Sequence, residues 1–274
     1  MPSLLLKMEM PADMDGYTLL MCDDFDEKQL NTDYWLPTYL PQWSSRKNTI
    51  PSYTIQNSIL SLYIADTQEP WCPEWNGSVR VSNLQTGVFS GEIGSSVGQH
   101  HFTEGLIVRE FQPRELKITP LYGYIECRVR CHISKENVAA LWMIGVEETP
   151  EQSSEICLFE LKGWQAAEKS AVIGYGIHSF GDPNLVDEFY EHHFDICVSD
   201  WNVYSVKWEE QQIAFYLNGE KIRVIHQSPN YPMQLMLNLY DLKNIKNERN
   251  RIEVDYVNVY QQDIYRRHQS CTEF

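Results

Sequence analysis

The sequence has few basic residues for its length. Its 274 residues include 22 lysines and arginines against 38 aspartates and glutamates, which gives a formal net charge of −16 at pH 7. Proteins that bind nucleic acid present basic patches to the phosphates, so this excess of negative charge argues against a nucleic-acid partner. It also disfavours, more weakly, sulfated or uronate-rich polysaccharides as ligands.

Long apolar runs are missing as well. Charged residues interrupt the first twenty residues, at Lys7, Glu9, Asp13 and Asp15. No stretch reaches the roughly 20 apolar residues that a membrane helix needs, and the start of the chain has no signal-peptide pattern. We therefore expect no membrane partner and a cytoplasmic location.

The cysteines do not form a disulfide framework. There are seven, an odd number, scattered at positions 22, 72, 127, 131, 157, 197 and 271. This usage predicts reduced thiols, as in a cytosolic protein. Cys127 and Cys131 fall on the apolar face of a strand, which favours core packing over a metal pair. The histidine pairs at 100–101 and 192–193 have no neighbouring ligand pattern, so we expect no cofactor.

What the sequence does contain is strand patterning. Residues 122–130 alternate between an apolar face and a polar, aromatic face, which is typical of a strand with one side in the core. Asn218-Gly219 separates two further strand-like runs and predicts a hairpin. Regular patterning fades between residues 69 and 112, which we interpret as a long loop. The pattern predicts a single all-β domain over 1–274 with its core at about 17–261.

One short run carries two glutamates five positions apart, in Ser154-Glu155-Ile156-Cys157-Leu158-Phe159-Glu160. In a regular strand Glu155 and Cys157 share a face, whereas Glu160 points to the opposite side. A β-bulge near Leu158-Phe159 would turn Glu160 onto the same face, and bulges are common beside active sites. Two carboxyls roughly 5 to 5.5 Å apart are the apparatus of a retaining glycosidase. Ordinary solvated glutamates on a strand are the alternative that the run alone leaves open.

The run resembles the Glu-x-Asp-x-x-Glu signature of glycoside hydrolase family 16, with Cys157 in the place of aspartate. Other stretches are similar to that family in the same order along the chain. They are Asp23-Asp-Phe-Asp26, Leu30-Asn-Thr-Asp-Tyr-Trp35, Tyr122-Gly-Tyr-Ile-Glu-Cys-Arg128, the segment around Asn218-Gly219, and the last strand at 253–260. The resemblance implies a two-sheet antiparallel β-sandwich of the concanavalin A-like, jelly-roll type, with an open substrate cleft on the concave sheet.

The resemblance also implies roles for these residues. Glu155 would be the nucleophile and Glu160 the general acid/base of an endo-acting retaining glycosidase on a β-linked glucan, of the β-1,3 or mixed-linkage type, or on a derived oligosaccharide. The family's aspartate hydrogen-bonds the nucleophile, and the Cys157 thiol is a weaker donor that is neutral at pH 7. A non-hydrolytic glycan-binding protein and a transglycosylase on the same scaffold remain alternatives.

Substrate-binding candidates surround the motif. Each candidate also has a purely structural explanation. The tryptophans could pack in the core, the histidine could be hydrogen-bonded within the protein, and the arginines could simply be exposed. The resemblance places the strand of Tyr124 across the cleft, and allows a structural calcium ion with Asp255 as a weak candidate ligand. We expect a monomer whose partner is a polysaccharide or oligosaccharide. The candidates are Trp142, Trp164, His178, Tyr124, Arg80 and Arg109.

Overall fold

The computed structural model describes residues 15–245, 247 and 249–265. Nearly all regular structure in this part of the chain is strand, and the helices are two 3-10 turns, Pro41–Trp43 and 263–265, and one short α-helix, α1, Pro73–Asn76. The strands are β1 (Tyr17–Asp23), β2 (Ser52–Gln56), β3 (Ile59–Tyr63), β4 (Arg80–Gln85), β5 (Gly87–Val88), β6 (Glu115–Leu116), β7 (Gly123–His132), β8 (Asn137–Gly145), β9 (Glu155–Ala166), β10 (Ala171–His178), β11 (Glu188–Phe194), β12 (Asn202–Glu209), β13 (Gln212–Leu217), β14 (Glu220–Ile225), β15 (Met233–Asp241) and β16 (Arg251–Gln262).

The strands form two large antiparallel sheets. The eight-stranded sheet has the order β14-β13-β12-β7-β16-β3-β2, with β1 also paired to β16. The six-stranded sheet has the order β11-β10-β9-β8-β15-β4, and β5 pairs with β6 separately. Half of the paired strands in these two sheets are not consecutive in sequence, for example β7 with β16 and β4 with β15, as in a jelly roll. The predicted two-sheet antiparallel sandwich is therefore confirmed.

The hydrophobic core lies between the two sheets. Alternate residues of each strand point into it, for example Leu141 and Met143 of β8 and Ile125 and Cys127 of β7, all fully buried. Burying such side chains is the main favourable contribution to folding, at about 1.5–3 kcal/mol for each large apolar group. Because the inner faces are apolar, the other face of each strand is left for loops, solvent or a ligand.

The hairpin predicted at Asn218-Gly219 is present. Asn218 and Gly219 have φ values of 51° and 82°, the left-handed conformation that a two-residue hairpin turn requires and that Asn and Gly tolerate best. The turn joins β13 to β14 at the edge of the eight-stranded sheet. Here local chemistry alone fixes the connection.

Two strands lie where regular patterning was not recognised. β4 falls inside the predicted loop 69–112, and all six of its residues are buried, so it lacks the alternation of a half-exposed strand. β11 contains aromatic, acidic and histidine residues in a mixed order, so its sequence shows no clear apolar face. In the part of the chain that the structure describes, no helix is long and apolar enough to cross a membrane.

The prediction that the strand of Tyr124, β7, crosses the substrate cleft is wrong. The strand is central in the eight-stranded sheet, whereas β9 with its glutamates belongs to the other sheet. Tyr124 alternates with the core residue Ile125 and faces away from the core, where its hydroxyl contacts Glu126 and Ser205. Tyr124 is therefore on the opposite side of the sandwich from the glutamates and cannot bind a substrate held by them.

Candidate active site

A β-bulge at Leu158 shapes the strand that carries the glutamates. Against β8, Trp142 pairs with Cys157 but the next residue, Leu141, pairs with Phe159. Against β10, Gly176 pairs with Cys157 and Gly174 with Glu160, so two steps on β10 match three on β9. Both neighbours therefore show one extra residue in β9 after Cys157, and the pairing with β8 places it at Leu158. The bulge that the odd spacing predicted is present.

The bulge places Glu155, Cys157 and Glu160 on one face. Leu158 and Phe159 are adjacent in sequence, yet both belong to the core between the sheets. Cys157 instead joins the separate apolar cluster on the outer face of the six-stranded sheet. The neighbours of Glu155 and Glu160 on β10, His178 and Gly174, are an even number of positions apart and so share that outer face. We call this outer face the site face.

The strand beside the glutamates carries no side chains at two site-face positions. Gly174 lies next to Glu160, and a Cβ there would come within 2.7 Å of the Phe189 ring. Gly176 has a φ of 138°, which glycine adopts readily, and a Cβ there would meet the Glu188 carbonyl oxygen at 2.1 Å. These glycines leave room for the Phe189 ring to lie over β10. The ring also stacks on His178, with centroids 4.4 Å apart.

Burial raises the pKa of the Glu155 carboxyl to about 8, and the charges of Glu160 and Asp187 act in the same direction. Removing a carboxylate from water disfavours its charged form, and like charges nearby add to that. None of the described side chains or amides donates a hydrogen bond to Glu155. The protonated form of Glu155 is therefore favoured at pH 7, which differs from the ionised state that a nucleophile needs.

Glu160 has a cationic partner. The Lys162 Nζ lies 3.1 Å from Glu160 Oε1 and 2.7 Å from Glu191 Oε1 of β11. Glu191 lies beyond Gly174, which has no side chain to separate the three groups. Lys162 holds the pKa of Glu191 below its usual range. The two glutamates of the motif thus differ in environment, one among acids and one beside an ammonium.

Cys157 lies between them and is 2% exposed. Burial raises the pKa of its thiol well above the usual range, and the charges of Glu155 and Glu160 add to this. A thiol in this state is neutral and is a weak hydrogen-bond donor. It fills the space of the expected aspartate without supplying its charge.

Loops cover part of the site face. Residues 36–49, 71–79 and 99–108, which we call the covering loops, contribute buried rings and aliphatic side chains over β4, β15 and β8. Hydrogen bonds join these loops to the strands beneath. They include Leu40 N to Gln85 Oε1 at 3.1 Å, Asn83 Nδ2 to Thr38 O at 2.6 Å, Gln99 Nε2 to Gln234 Oε1 at 2.7 Å, and the pair of hydroxyls of Tyr39 and Tyr240 at 2.8 Å.

Two pockets open on the site face next to the glutamates. One, of about 270 Å³, includes Glu160 and is walled by aromatic rings from the covering loops and β15. The other, of about 390 Å³, lies towards the beginning of β9 and contains His100, His101 and Phe180. Burial lowers the pKa of His100 to about 4, so its imidazole is neutral at pH 7. Both pockets are concave, partly apolar and of a size for sugar units.

The predicted binding residues differ in where they lie. His178 is the cross-strand neighbour of Glu155, with its Nδ1 3.5 Å from Asp187. Trp142 is in the outer-face cluster under His100 and is buried, which leaves little ring surface for a sugar. Trp164, near the end of β9, is 48% exposed. Arg109 forms an exposed ion pair with Glu74 on a covering loop. Sugar binding by these residues stays a prediction.

The prediction for Arg80 is wrong. Its side chain is 0% exposed and pairs with Asp241 at 2.6 Å, and its remaining donors reach the carbonyls of Ala65, Gln68 and Ile245. A guanidinium that is fully buried and fully hydrogen-bonded cannot contact a substrate. Arg80 fastens β4 to β15 and the neighbouring loops, which is a structural role.

The candidate calcium ligand Asp255 is paired with Arg128 on the outer side of the eight-stranded sheet. Across residues 15–265, as far as they are described, no three His, Cys, Asp or Glu side chains gather in a group that could hold a metal ion. Six cysteines lie in the described part of the chain and no disulfide joins any of them, while Cys271 lies outside it.

Several site-face residues were not identified from the sequence. Lys162 follows Glu160 by two positions, and this spacing on a strand was the signal that could have found it. Phe189 belongs to a strand that was not recognised. Tyr39 and Tyr240 are far apart in sequence, so only the folded chain brings their hydroxyls together.

Comparison with known proteins adds a family and several relatives. The model of the family described as glycosyl hydrolases family 16 matches residues 115–258, more than half of the chain. A curated relative, the glucan endo-1,3-beta-glucosidase A1 of Niallia circulans, is 26% identical over 171 residues. That match covers 53% of this chain and 25% of the relative, so the chain spans about a quarter of its length.

Solved structures are similar over most of the chain. The GlcNAcα1-4Gal releasing endo-β-galactosidase from Clostridium perfringens has a TM-score of 0.78 and 25% identity, covering 93% of this chain and 65% of that one. The laminarinase from Flavobacterium sp. UMI-01 has a TM-score of 0.61 and 15% identity, covering 89% of this chain and all of that one. The second likeness concerns the fold alone.

Proposed function

The chain belongs to glycosyl hydrolases family 16, and from this premise we propose that it is a retaining, endo-acting β-glycosidase. The observation that carries the proposal is the bulge at Leu158, because it brings Glu155 and Glu160 onto one face beside sugar-sized pockets. In a regular strand the adjacent residues Leu158 and Phe159 would face opposite sides, whereas the bulge leaves both in the core and turns Glu160 onto the face of Glu155. It is the arrangement that two-carboxylate chemistry needs.

In the proposed mechanism Glu155 attacks the anomeric carbon and forms a covalent glycosyl-enzyme, while Glu160 gives a proton to the departing oxygen. Water then attacks the anomeric carbon while Glu160 takes its proton, so the new carbon–oxygen bond forms as the bond to Glu155 breaks. Glu155 must be ionised to attack, and its pKa of about 8 makes the reactive form grow as the pH rises towards 8. Lys162 Nζ lies 3.1 Å from Glu160 Oε1 and is placed to pair with the Glu160 carboxylate that takes part in the second step.

The proposed substrate is a neutral β-linked glucan or a derived oligosaccharide. The relative from Niallia circulans, a glucan endo-1,3-beta-glucosidase, supports this choice. A β-galactoside-containing glycan is a second candidate, because the similarity to the endo-β-galactosidase from Clostridium perfringens covers nearly the whole chain. We retain a cytoplasmic location as a proposal, consistent with the lack of disulfides among the six described cysteines.

The test is a screen of the purified protein against neutral β-glucans, galactans and aryl β-glycosides, with wild type and Glu155→Ala compared. We expect cleavage by wild type, with the anomeric configuration retained in the first product, and none by Glu155→Ala. Glu160→Ala should lose activity on natural linkages but keep more on aryl glycosides, whose leaving groups need little protonation. Inverted product, or glycan binding with no cleavage of any substrate by wild type, would refute the proposal; the second outcome would leave a binding protein.

A further inference from the structure

The covering loops lie over one side of the site face and leave the other side open. We propose that the site face is a cleft closed at one end. In this cleft a short, neutral glycan end of one or two sugar units occupies the pocket beside Glu160. The rest of the glycan extends only across β10 and β11. This inference rests on the proposed glycosidase function and changes its mode of action: the internal cut of an endo-acting enzyme is confined to a fixed, short distance from one chain end.

The closed side consists of β4 and β15. In a sandwich the outer face of a sheet is ordinarily open to solvent, and a glycan that crosses the sheet must pass over it. Here the outward side chains of both strands are 0% exposed over most of their length. These residues are Val81, Asn83 and Gln85 of β4 and Gln234, Met236 and Asn238 of β15. The protein's own loops therefore occupy the space that a continuing glycan would need.

The covering loops are packed as a core, not laid loosely on the sheet. Leu40 and Trp43 are 0% exposed and belong to one apolar cluster with Met236 and Ile144 of the sheet. Lifting the loops would expose each of these large side chains at a cost of about 1.5–3 kcal/mol. Their hydrogen bonds to β4 and β15 side chains would be lost as well. The closed side is thus a fixed wall.

The open side begins at β10. Gly174 and Gly176 present no side chains, and the Phe189 ring lies over them, stacked on His178. Phe189 and His178 are both partly exposed. An aromatic surface of this kind suits the apolar face of a sugar ring. A glycan held by Glu155 and Glu160 can therefore continue in this direction.

The pocket on the closed side limits what the glycan end can be. Its volume of about 270 Å³ is below the ~300–1,000 Å³ of pockets for drug-sized ligands, so it accommodates one or two sugar units. Its lining includes Tyr39, Trp71, Asn76, Phe102 and Tyr240, and none of its described lining residues is basic. Glu160 is its charged member. A neutral end is favoured, because the Glu160 carboxylate repels a sulfate or uronate group and the neighbouring Lys162 ammonium is already paired with Glu160 and Glu191.

The first experiment follows cleavage of reducing-end-labelled β-linked gluco- and galacto-oligosaccharides of increasing length. We expect that one of the two early products has the same short length whatever the substrate, and that sulfation of that end abolishes cleavage. Early products of many lengths on both sides of the cut would overturn the closed-end inference while leaving the proposed function intact.

A pocket-filling variant tests the site directly. Val79 lines the pocket, and Val79→Phe fills it without adding charge or tryptophan. Ile245→Phe is the matched control, at an exposed position outside that lining. We expect kcat/KM on oligosaccharides to fall about tenfold or more for Val79→Phe and to stay unchanged for Ile245→Phe, with both proteins folded by thermal unfolding. Equal kcat/KM for the two variants would contradict the inference.

Failure of the proposed function has a different signature. If no oligosaccharide and no aryl glycoside is cleaved, the glycosidase proposal fails, and the closed end is judged by binding alone. Quenching of tryptophan fluorescence by the same oligosaccharides then compares wild type with Val79→Phe. Weaker binding by the variant supports a closed-end binding site, and equal affinity overturns it.

Discussion

Replacing Glu155 by glutamine should stabilise the protein at alkaline pH and abolish its activity. The Glu155 pKa is about 8 in the folded protein against 4.5 for an ordinary glutamate. Between these values the folded chain keeps a proton that the unfolded chain has released, so stability falls as the pH rises through this window. Glutamine has the same shape and cannot ionise, so Glu155→Gln escapes this loss.

The magnitude follows from the same two values. At ~1.4 kcal/mol for each pKa unit, the difference between 4.5 and about 8 sets an upper bound of about 5 kcal/mol. Glu155 is partly exposed and its proton is coupled to Glu160, so we expect about 2–3 kcal/mol at pH 9. For a chain of this size that corresponds to a rise in Tm of about 4 to 10 °C.

The assay is urea unfolding of wild type and Glu155→Gln at several pH values from 4.5 to 9. The two free energies of unfolding should agree near pH 4.5 and separate as the pH rises. Glu191→Gln is the control with opposite sign, because Lys162 lowers the pKa of Glu191 and the carboxylate therefore stabilises the fold above pH 4.5. A stabilisation by Glu155→Gln that is the same at every pH, or a loss of stability at pH 9, would show that burial does not hold the proton on Glu155.

Further predictions concern four other sites. Cys157→Asp should raise activity and move the acid limb of the kcat/KM profile to lower pH, because a protonated carboxyl donates a stronger hydrogen bond to Glu155 than the neutral thiol does. A fall in activity at pH 7 would indicate instead that the added carboxylate crowds the charges of the site. Lys162→Met should reduce kcat by about tenfold or more and Lys162→Arg should restore part of it, whereas Lys207→Met, which breaks an ion pair of the same 3.1 Å length in the other sheet, should leave kcat unchanged. Arg80→Met should cost about 3–5 kcal/mol of stability in urea unfolding because it leaves the Asp241 carboxylate buried without its cation, and a loss below 1 kcal/mol would contradict the role given to this pair. Thiol titration of the denatured protein without reductant should find all seven cysteines reactive, and two or three disulfides would argue against a reducing compartment.

Much of the fold was predictable because its signals are local. The alternation in residues 122–130 marked a strand with one face in the core, and Asn218-Gly219 marked a turn that only a few residue types can form. β4 escaped because it is buried on both faces, which removes alternation as a signal. Its second face is covered by loops that lie elsewhere in the sequence.

In β9, the strand of the two glutamates, some features were likewise predictable from the sequence and others were not. The odd spacing of Glu155 and Glu160 predicts a bulge if both serve one site, and the bulge lies at Leu158. The environment of each carboxyl was not predictable, because it depends on groups that the chain brings together only on folding. Asp187 acts on Glu155 from the loop before β11, and Glu191 of β11 shares Lys162 with Glu160.

The sequence by itself determined most of the strands, the turn at Asn218-Gly219, the bulge that a shared face for Glu155 and Glu160 requires, and the neutral residue between them. These depend on periods of two and on the conformational limits of single residues, which neighbours in sequence decide. Only the tertiary structure decided that Tyr124 faces away from the site, that Arg80 is buried against Asp241, and that loops close one side of the site face. The physical reason is that burial and charge pairing depend on contacts between segments that are distant in sequence. The type of a residue limits which contacts it can make, but the fold decides which of them form.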